Sequence, residues 1–239
     1  MRFHPLVRSS LCLSLVTVAV LAATGCAAPL SGPGQRQLMI VANDQKQSWD
    51  ATGKVVLAAP GKDTLSILDI GTDPLAPRII ANLTLPNTIA GPPVNLAINA
   101  DETLAIMANS LNVIDDNGVL KQVPDNRLFV IDLTTTPPAL IDTVTVGKQP
   151  SGLSINRAGN LALVANRADN SVSVLRIAGK KVTLIDTVAM GDSVAHVRFT
   201  PDGQRALAAK FPNHKIALLD VAGEKVTYNK LDLAAGLWP

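Results

Sequence analysis

His196 and His214 are the side chains of this chain best suited to proton transfer or metal ligation. The remaining histidine, His4, lies in an N-terminal stretch unlike the rest of the chain. Two imidazoles without a third ligand at metal spacing make a poor zinc site, so no metal is assigned. Asp115-Asp116-Asn117-Gly118 faintly echoes a calcium loop, but the ligand spacing of such a loop is missing and the segment reads as a hairpin turn. No G-x-S-x-G elbow, H-E-x-x-H pair or C-x-x-C-H haem attachment occurs. What remains is a set of polar side chains on short connections: Lys148, Arg167, Asn170, His196, Lys210 and His214. Gathered at one mouth, they would suit an anionic small molecule, a peptide or the edge of a polar cofactor. Asn170 also precedes Ser171 as Asp63 precedes Thr64, a place where short polar side chains form turns by bonding the backbone.

Whether these residues meet depends on the elements that carry them, and those elements repeat. Four related phrases run along the chain: "VVLAAPGKDTLSILDI" (55–70), "LAIMANS…RLFVIDL" (104–133), "LALVANRADNSVSVLRI" (161–177) and "RALAAKFPNHKIALLDV" (205–221). A short apolar strand precedes three of them, at 94–99, 151–156 and 195–200, and another follows each, at 78–85, 139–146, 183–190 and 226–233. Leu128, Val172 and Ile216 recur at intervals of 44 residues, while Leu65 precedes Leu128 by 63 because loops absorb insertions that packed strands cannot. Each unit therefore has four strands, a-b-c-d. Acid usage agrees: 17 of 19 acidic residues are Asp, which favours turns, and only Glu102 and Glu224 are Glu. The chain is expected to be all-β, a β-propeller of four-stranded blades. A lone blade has apolar runs such as LALVA on both faces and must be sandwiched between copies of itself, hence the repetition.

The segments Gln149-Pro150-Ser151-Gly152-Leu153, Leu163-Val164-Ala165-Asn166 and Ser171-Val172-Ser173-Val174 resemble YVTN-type β-propeller repeats. These are shared with lactonase-like propellers and with haem-binding propellers of denitrification. The resemblance covers residues 38–239 and implies a ring of seven blades. About four are expected here, at 38–89, 90–146, 147–190 and 191–235, with "AAGLWP" (234–239) opening a fifth, so that the sequence reads as an N-terminal fragment. In such a ring the b–c and d–a connections share one face, which is where the polar set above would lie.

At the N-terminus, Arg2 and Arg8 precede an apolar run and a small-residue segment ending at Cys26, the pattern of a secretory signal. Ala23-Thr24-Gly25-Cys26 resembles the bacterial lipobox, which implies a signal peptide over 1–25, a lipidated Cys26 and a linker over 26–37; the alternative is a plain signal-peptidase cut after Ala27 or Ala28 and a soluble periplasmic or secreted protein. Ala27 rather than Asp after that cysteine implies the outer membrane. Cys12 would leave with the signal, so no thiol is left to pair or attack. Without Arg2 and Arg8, basic and acidic residues are equal in number, and no basic face suited to nucleic acid is present. The leading expectation is an exported, lipid-anchored, non-catalytic propeller that binds an envelope protein or a small anionic ligand, with no cofactor. The alternative is a lactonase-like hydrolase acting on a sugar lactone, and a lesser one is haem or cofactor handling.

Overall fold

The computed structural model describes residues 34–88, 90, 94–237 and 239. The signal segment, Cys26 and most of 89–93 lie outside the described residues. Among the described residues, seventeen strands form four larger sheets and one hairpin. The first sheet contains β1 (Leu38–Asn43), β4 (Thr64–Asp69) and β5 (Arg78–Thr84), and the separate hairpin pairs β2 (Gln47–Trp49) with β3 (Val55–Leu57). The second contains β6 (Leu96–Ile98), β7 (Leu104–Asp116), β8 (Val119–Asp132) and β9 (Ala139–Thr145). The third runs through β10 (Pro150–Ile155), β11 (Leu161–Asn166), β12 (Ser171–Ala178) and β13 (Lys181–Ala189). The fourth runs through β14 (His196–Phe199), β15 (Arg205–Lys210), β16 (Lys215–Ala222) and β17 (Lys225–Ala234). Each is an antiparallel meander in chain order, the blade of a β-propeller.

The packing explains why the module is repeated. Along β7, Leu104, Ile106 and Ala108 point into a cluster with Ala162, Val164 and Leu175 of the third blade. The alternate residues Ala105 and Met107 enter a different cluster with Leu65 and Ile67 of the first. A third cluster joins Leu163, Val172 and Val174 to Ala208, Ala217 and Leu219 of the fourth blade. Both faces of an inner blade are thus buried by its neighbours, and each fully buried Leu, Ile or Val contributes about 1.5–3 kcal/mol.

The first blade departs from the expected strand assignment. Residues 55–57 do not form its second strand; they fold back on 47–49 through a turn in which Asp50 Oδ1 accepts from Thr52 N at 2.8 Å and Lys54 N at 3.0 Å. The partner of β4 is β1, with Asn43 opposite Thr64. "LMIVAN" therefore plays the part that "LALVAN" plays in the third blade. Asn43 Nδ2 donates to the hydroxyls of Thr64 and Ser66 at 3.1 Å each, and Asn166 Nδ2 likewise reaches Ser171 at 3.0 Å and Ser173 at 2.9 Å. The asparagine ending the second strand anchors that strand to the third, which a valine at 55 or 56 cannot do. In the second blade the insertion prolongs β7 and β8 into a long hairpin closed at Asn117 and Gly118, both at positive φ (56° and 83°), as a tight hairpin turn requires.

The first blade is tied internally by a buried ion cluster. Lys46 Nζ, 2% exposed, contacts Asp44 at 3.2 Å and bonds Asp63 and the Asn87 carbonyl, while Asp63 also accepts from Gln45 N at 2.8 Å and Asn87 N at 3.0 Å. Truncating one partner of such a cluster strands the others without water. Lys46→Met is accordingly expected to lower stability by about 3–5 kcal/mol, read from the urea midpoint.

At the opposite end of the blades, Lys180 of the third blade bonds Asp132 and Thr134 of the second, each at 2.5 Å. Burial alone would raise the Asp132 carboxyl, but hydrogen bonds from Lys180 and Thr134 and the ammonium charge outweigh it and hold the group at about 2. Because the folded value is depressed, this contribution to stability is present above the ordinary value near 3.8 and lost as pH falls toward 2. Lys180→Met should bring the Asp132 titration up toward the ordinary carboxylate range, observable by carbon NMR of the side chain.

Candidate active site

The first strands of the blades, β6, β10 and β14, lie side by side. Leu153 N donates to Val94 O at 3.1 Å, and Gly152 N donates to Ala195 O at 2.9 Å. These contacts draw the inner edges of the second, third and fourth blades together. A cleft of about 440 Å³ follows the three strands, walled by Ile98, Leu153 and Phe199 and bearing His196, Arg198 and Arg157. His196 and Arg198 are two apart on β14 and so share one side of the strand.

His196 is half-buried. Its Nδ1 is buried without a hydrogen-bond partner, and it lies against Gly152, where a Cβ would come within 2.2 Å of that nitrogen. Burial, and then the neighbouring Arg198 charge, push the imidazole below its ordinary value of 6.5. At neutral pH it is therefore uncharged, able to accept a proton. Neither Arg157 nor Arg198 forms an ion pair among the described residues. The cleft thus holds a proton acceptor and two free cationic groups on partly apolar walls, a combination suited to a compact oxygen-rich molecule that develops negative charge.

The other residues singled out in the sequence lie elsewhere. Lys148, Arg167 and Asn170 are brought together at the b–c end of the third blade. Arg167 N donates to Gln149 O at 3.1 Å, Ala168 N to Lys148 O at 3.2 Å, and Lys148 N to Asp169 Oδ2 at 2.7 Å. Asn170, exposed at a φ of 50°, accepts from Met190 N through its carbonyl at 2.8 Å, in a turn-forming position. His214 caps a single 3₁₀ turn, Phe211–Asn213, in the left-handed conformation. Lys210 occupies the position of Asn43 and Asn166 and is 5% exposed. Its ammonium bonds Tyr228 Oη at 2.6 Å and Asp232 at 3.1 Å, so its charge is satisfied within the blade. Of the six, only His196 reaches the cleft.

Arg157 and Arg198 escaped the sequence reading because it placed functional groups on the b–c and d–a connections, whereas these two lie on the a–b turn and on an inner strand. The alternation in "AHVRFT" carries the signal: a histidine and an arginine two apart on a first strand face the same way.

Sheet order, inter-blade cores and converging inner strands define a β-propeller of four-stranded blades. Residues 119–233, which include the whole cleft contribution of the third and fourth blades, match the family "Lactonase, 7-bladed beta-propeller". No curated protein matches the sequence significantly. Among solved structures, a functionally unknown protein from Desulfotomaculum acetoxidans is similar with a TM-score of 0.59 at 16% identity, over 81% of this chain and 57% of that one. The periplasmic gluconolactonase PpgL of Pseudomonas aeruginosa gives 0.56 at 14% identity, over 80% and 53%. A candidate 6-phosphogluconolactonase from Bacteroides fragilis gives 0.53 at 13% identity, over 79% and 64%. The chain spans between about half and two thirds of the length of these structures, and at such identities the likeness concerns the fold.

Proposed function

We propose that the protein is a lactonase-like propeller hydrolase that opens a sugar lactone in the inner-strand cleft. The observation that carries this reading is the cleft that brings half-buried His196 and Arg198 together, both within the segment matched by the lactonase family. It takes the place of the display reading, which the comparisons do not favour.

In this mechanism the His196 imidazole takes a proton from a water molecule as that water attacks the lactone carbonyl. Arg198 stands where the carbonyl oxygen gains negative charge, and a fixed guanidinium in a cleft stabilises such charge better than mobile water does. Collapse of the tetrahedral intermediate breaks the ring C–O bond. The leaving alkoxide recovers the proton from the imidazolium, giving a hydroxy acid. Arg157, toward the other end of the cleft, holds the polar substituents of the sugar.

The test is acid release from a panel of gluconolactone-type substrates at pH 7, measured above spontaneous ring opening. Turnover by the wild type, reduced severely in both His196→Gln and Arg198→Met, is expected. Absence of turnover on every lactone, or equal turnover in both variants, overturns the reading. Export through residues 1–25 and lipid attachment at Cys26 belong to the same proposal. Radiolabelled palmitate should enter the wild type in cells and not Cys26→Ser.

A further inference from the structure

Among the described residues, Arg127 and Arg167 are half-buried over aromatic rings, and only Arg127 is matched by a carboxylate. Arg127 lies over Phe129 at 5.6 Å and is bonded through Nε to Asp125 at 2.9 Å. Arg176 of the third blade forks onto Glu224 of the fourth, with both bonds at 2.5 Å. Arg167 lies over Phe211 at 4.8 Å, bridging the third blade to the fourth, and its Nε is buried with no partner. The acids in the surrounding turns are engaged elsewhere. Asp169 accepts from Lys148 N, and Asp192 accepts from Asn213 Nδ2 and from Ser193 N at 2.8 Å. The electrostatic consequence is opposite in the two stacked arginines: the Asp125 bond raises Arg127 above its ordinary value, whereas burial with no anion lowers Arg167.

We propose that Arg167, fixed over Phe211 at the b–c rim between the third and fourth blades, is a recognition site for a small oxyanion, a carboxylate or a phosphate group. Phe211 holds the guanidinium plane, and because Nε is sealed from solvent it is the Nη edge that is preorganised for a two-oxygen fork. Exposed Lys148 on the adjoining d–a turn adds positive charge to the approach. No acid blocks the edge. The site is distinct from the inner-strand cleft and does not rest on the hydrolase reading.

The test is titration of the full chain with sodium phosphate and, separately, sodium acetate at constant ionic strength, followed through the arginine Nε–H resonances. One resonance, identified by its loss in Arg167→Lys, is expected to shift saturably with at least one of the two anions. A preference between them tells phosphate from carboxylate. Arg167→Lys keeps the charge over Phe211 but loses the fork, so protection of the fold against heat by that anion should fall by about tenfold in affinity. His196→Gln should bind as the wild type does. Failure of the Arg167 resonance to saturate with either anion, or undiminished protection in Arg167→Lys, would show a purely structural staple and overturn the proposal.

Discussion

Replacing His196 with glutamine is expected to lower lactone turnover by about 10²–10⁴-fold, the usual contribution of a positioned general base, with KM changed much less. Glutamine keeps a polar side chain of similar reach but cannot accept and return a proton. The pH dependence gives a sharper check. The imidazole is held below 6.5 by burial and by Arg198, so its neutral form persists into mildly acidic solution. Wild-type kcat/KM should be flat near neutrality and fall only below pH 6.5. Arg198→Met removes one of the two depressing influences and should move that fall toward higher pH. The same shift has a stability counterpart. A histidine with a depressed folded value binds its proton more readily when unfolded, so its contribution is lost as pH falls through 6.5 toward the folded value. An activity that declined from above pH 7, or an Arg198 variant whose profile did not move, would remove His196 from the role of base.

Gly152→Ala is expected to destabilise the fold by about 3 kcal/mol, at the upper end of the usual cost of overpacking, and to depress turnover as well. The added Cβ would stand 2.2 Å from His196 Nδ1, 2.7 Å from His196 Cα and 2.8 Å from Ala195 O. Two of these three atoms are backbone atoms of the neighbouring inner strand or its start, so no rotamer change relieves the contact and the strands must separate. Separation breaks the Gly152 N to Ala195 O hydrogen bond, which helps to hold the third and fourth blades together at the cleft. Gly159→Ala offers a control away from the inner strands. There the nearest atom to an added Cβ is Asn99 Cβ at 4.0 Å, so the cost comes from its φ of 72° rather than from a clash. Turnover in that variant should stay near wild type, while urea unfolding registers both changes. Equal stability of Gly152→Ala and the wild type would contradict the close approach of β10 and β14.

The fold was legible because its signal is carried by buried strands whose spacing cannot drift. Thr64, Arg127, Ser171 and Lys215 hold equivalent register positions in the third strand of each blade, and they keep the 63-, 44- and 44-residue intervals read from Leu65, Leu128, Val172 and Ile216. The first blade was misread where apolar content was taken for position. Val55 and Val56 look like a strand and form one, but on the wrong partner, and both are exposed. The better guide was a polar residue: Asn43 and Asn166 end the strand that pairs with the third, and Asn109 holds the matching place in β7, just before the irregularity where the long hairpin begins. At that same position in the fourth blade Lys210 substitutes for the asparagine, and its burial against Tyr228 and Asp232 depends on a pairing across β16 and β17 that no local pattern reveals. The cleft was harder to read for a related reason. Arg157, Arg198 and His196 come from two blades, and their proximity is set by how inner strands stack rather than by their spacing along the chain.

The most direct test of hydrolysis in the inner-strand cleft is a crystal structure of the protein with a lactam analogue of whichever lactone it opens. The ring should lie along β6, β10 and β14 with its carbonyl facing His196 and Arg198. An ordered analogue bound anywhere else, with this cleft left to solvent at saturating concentration, would contradict the account.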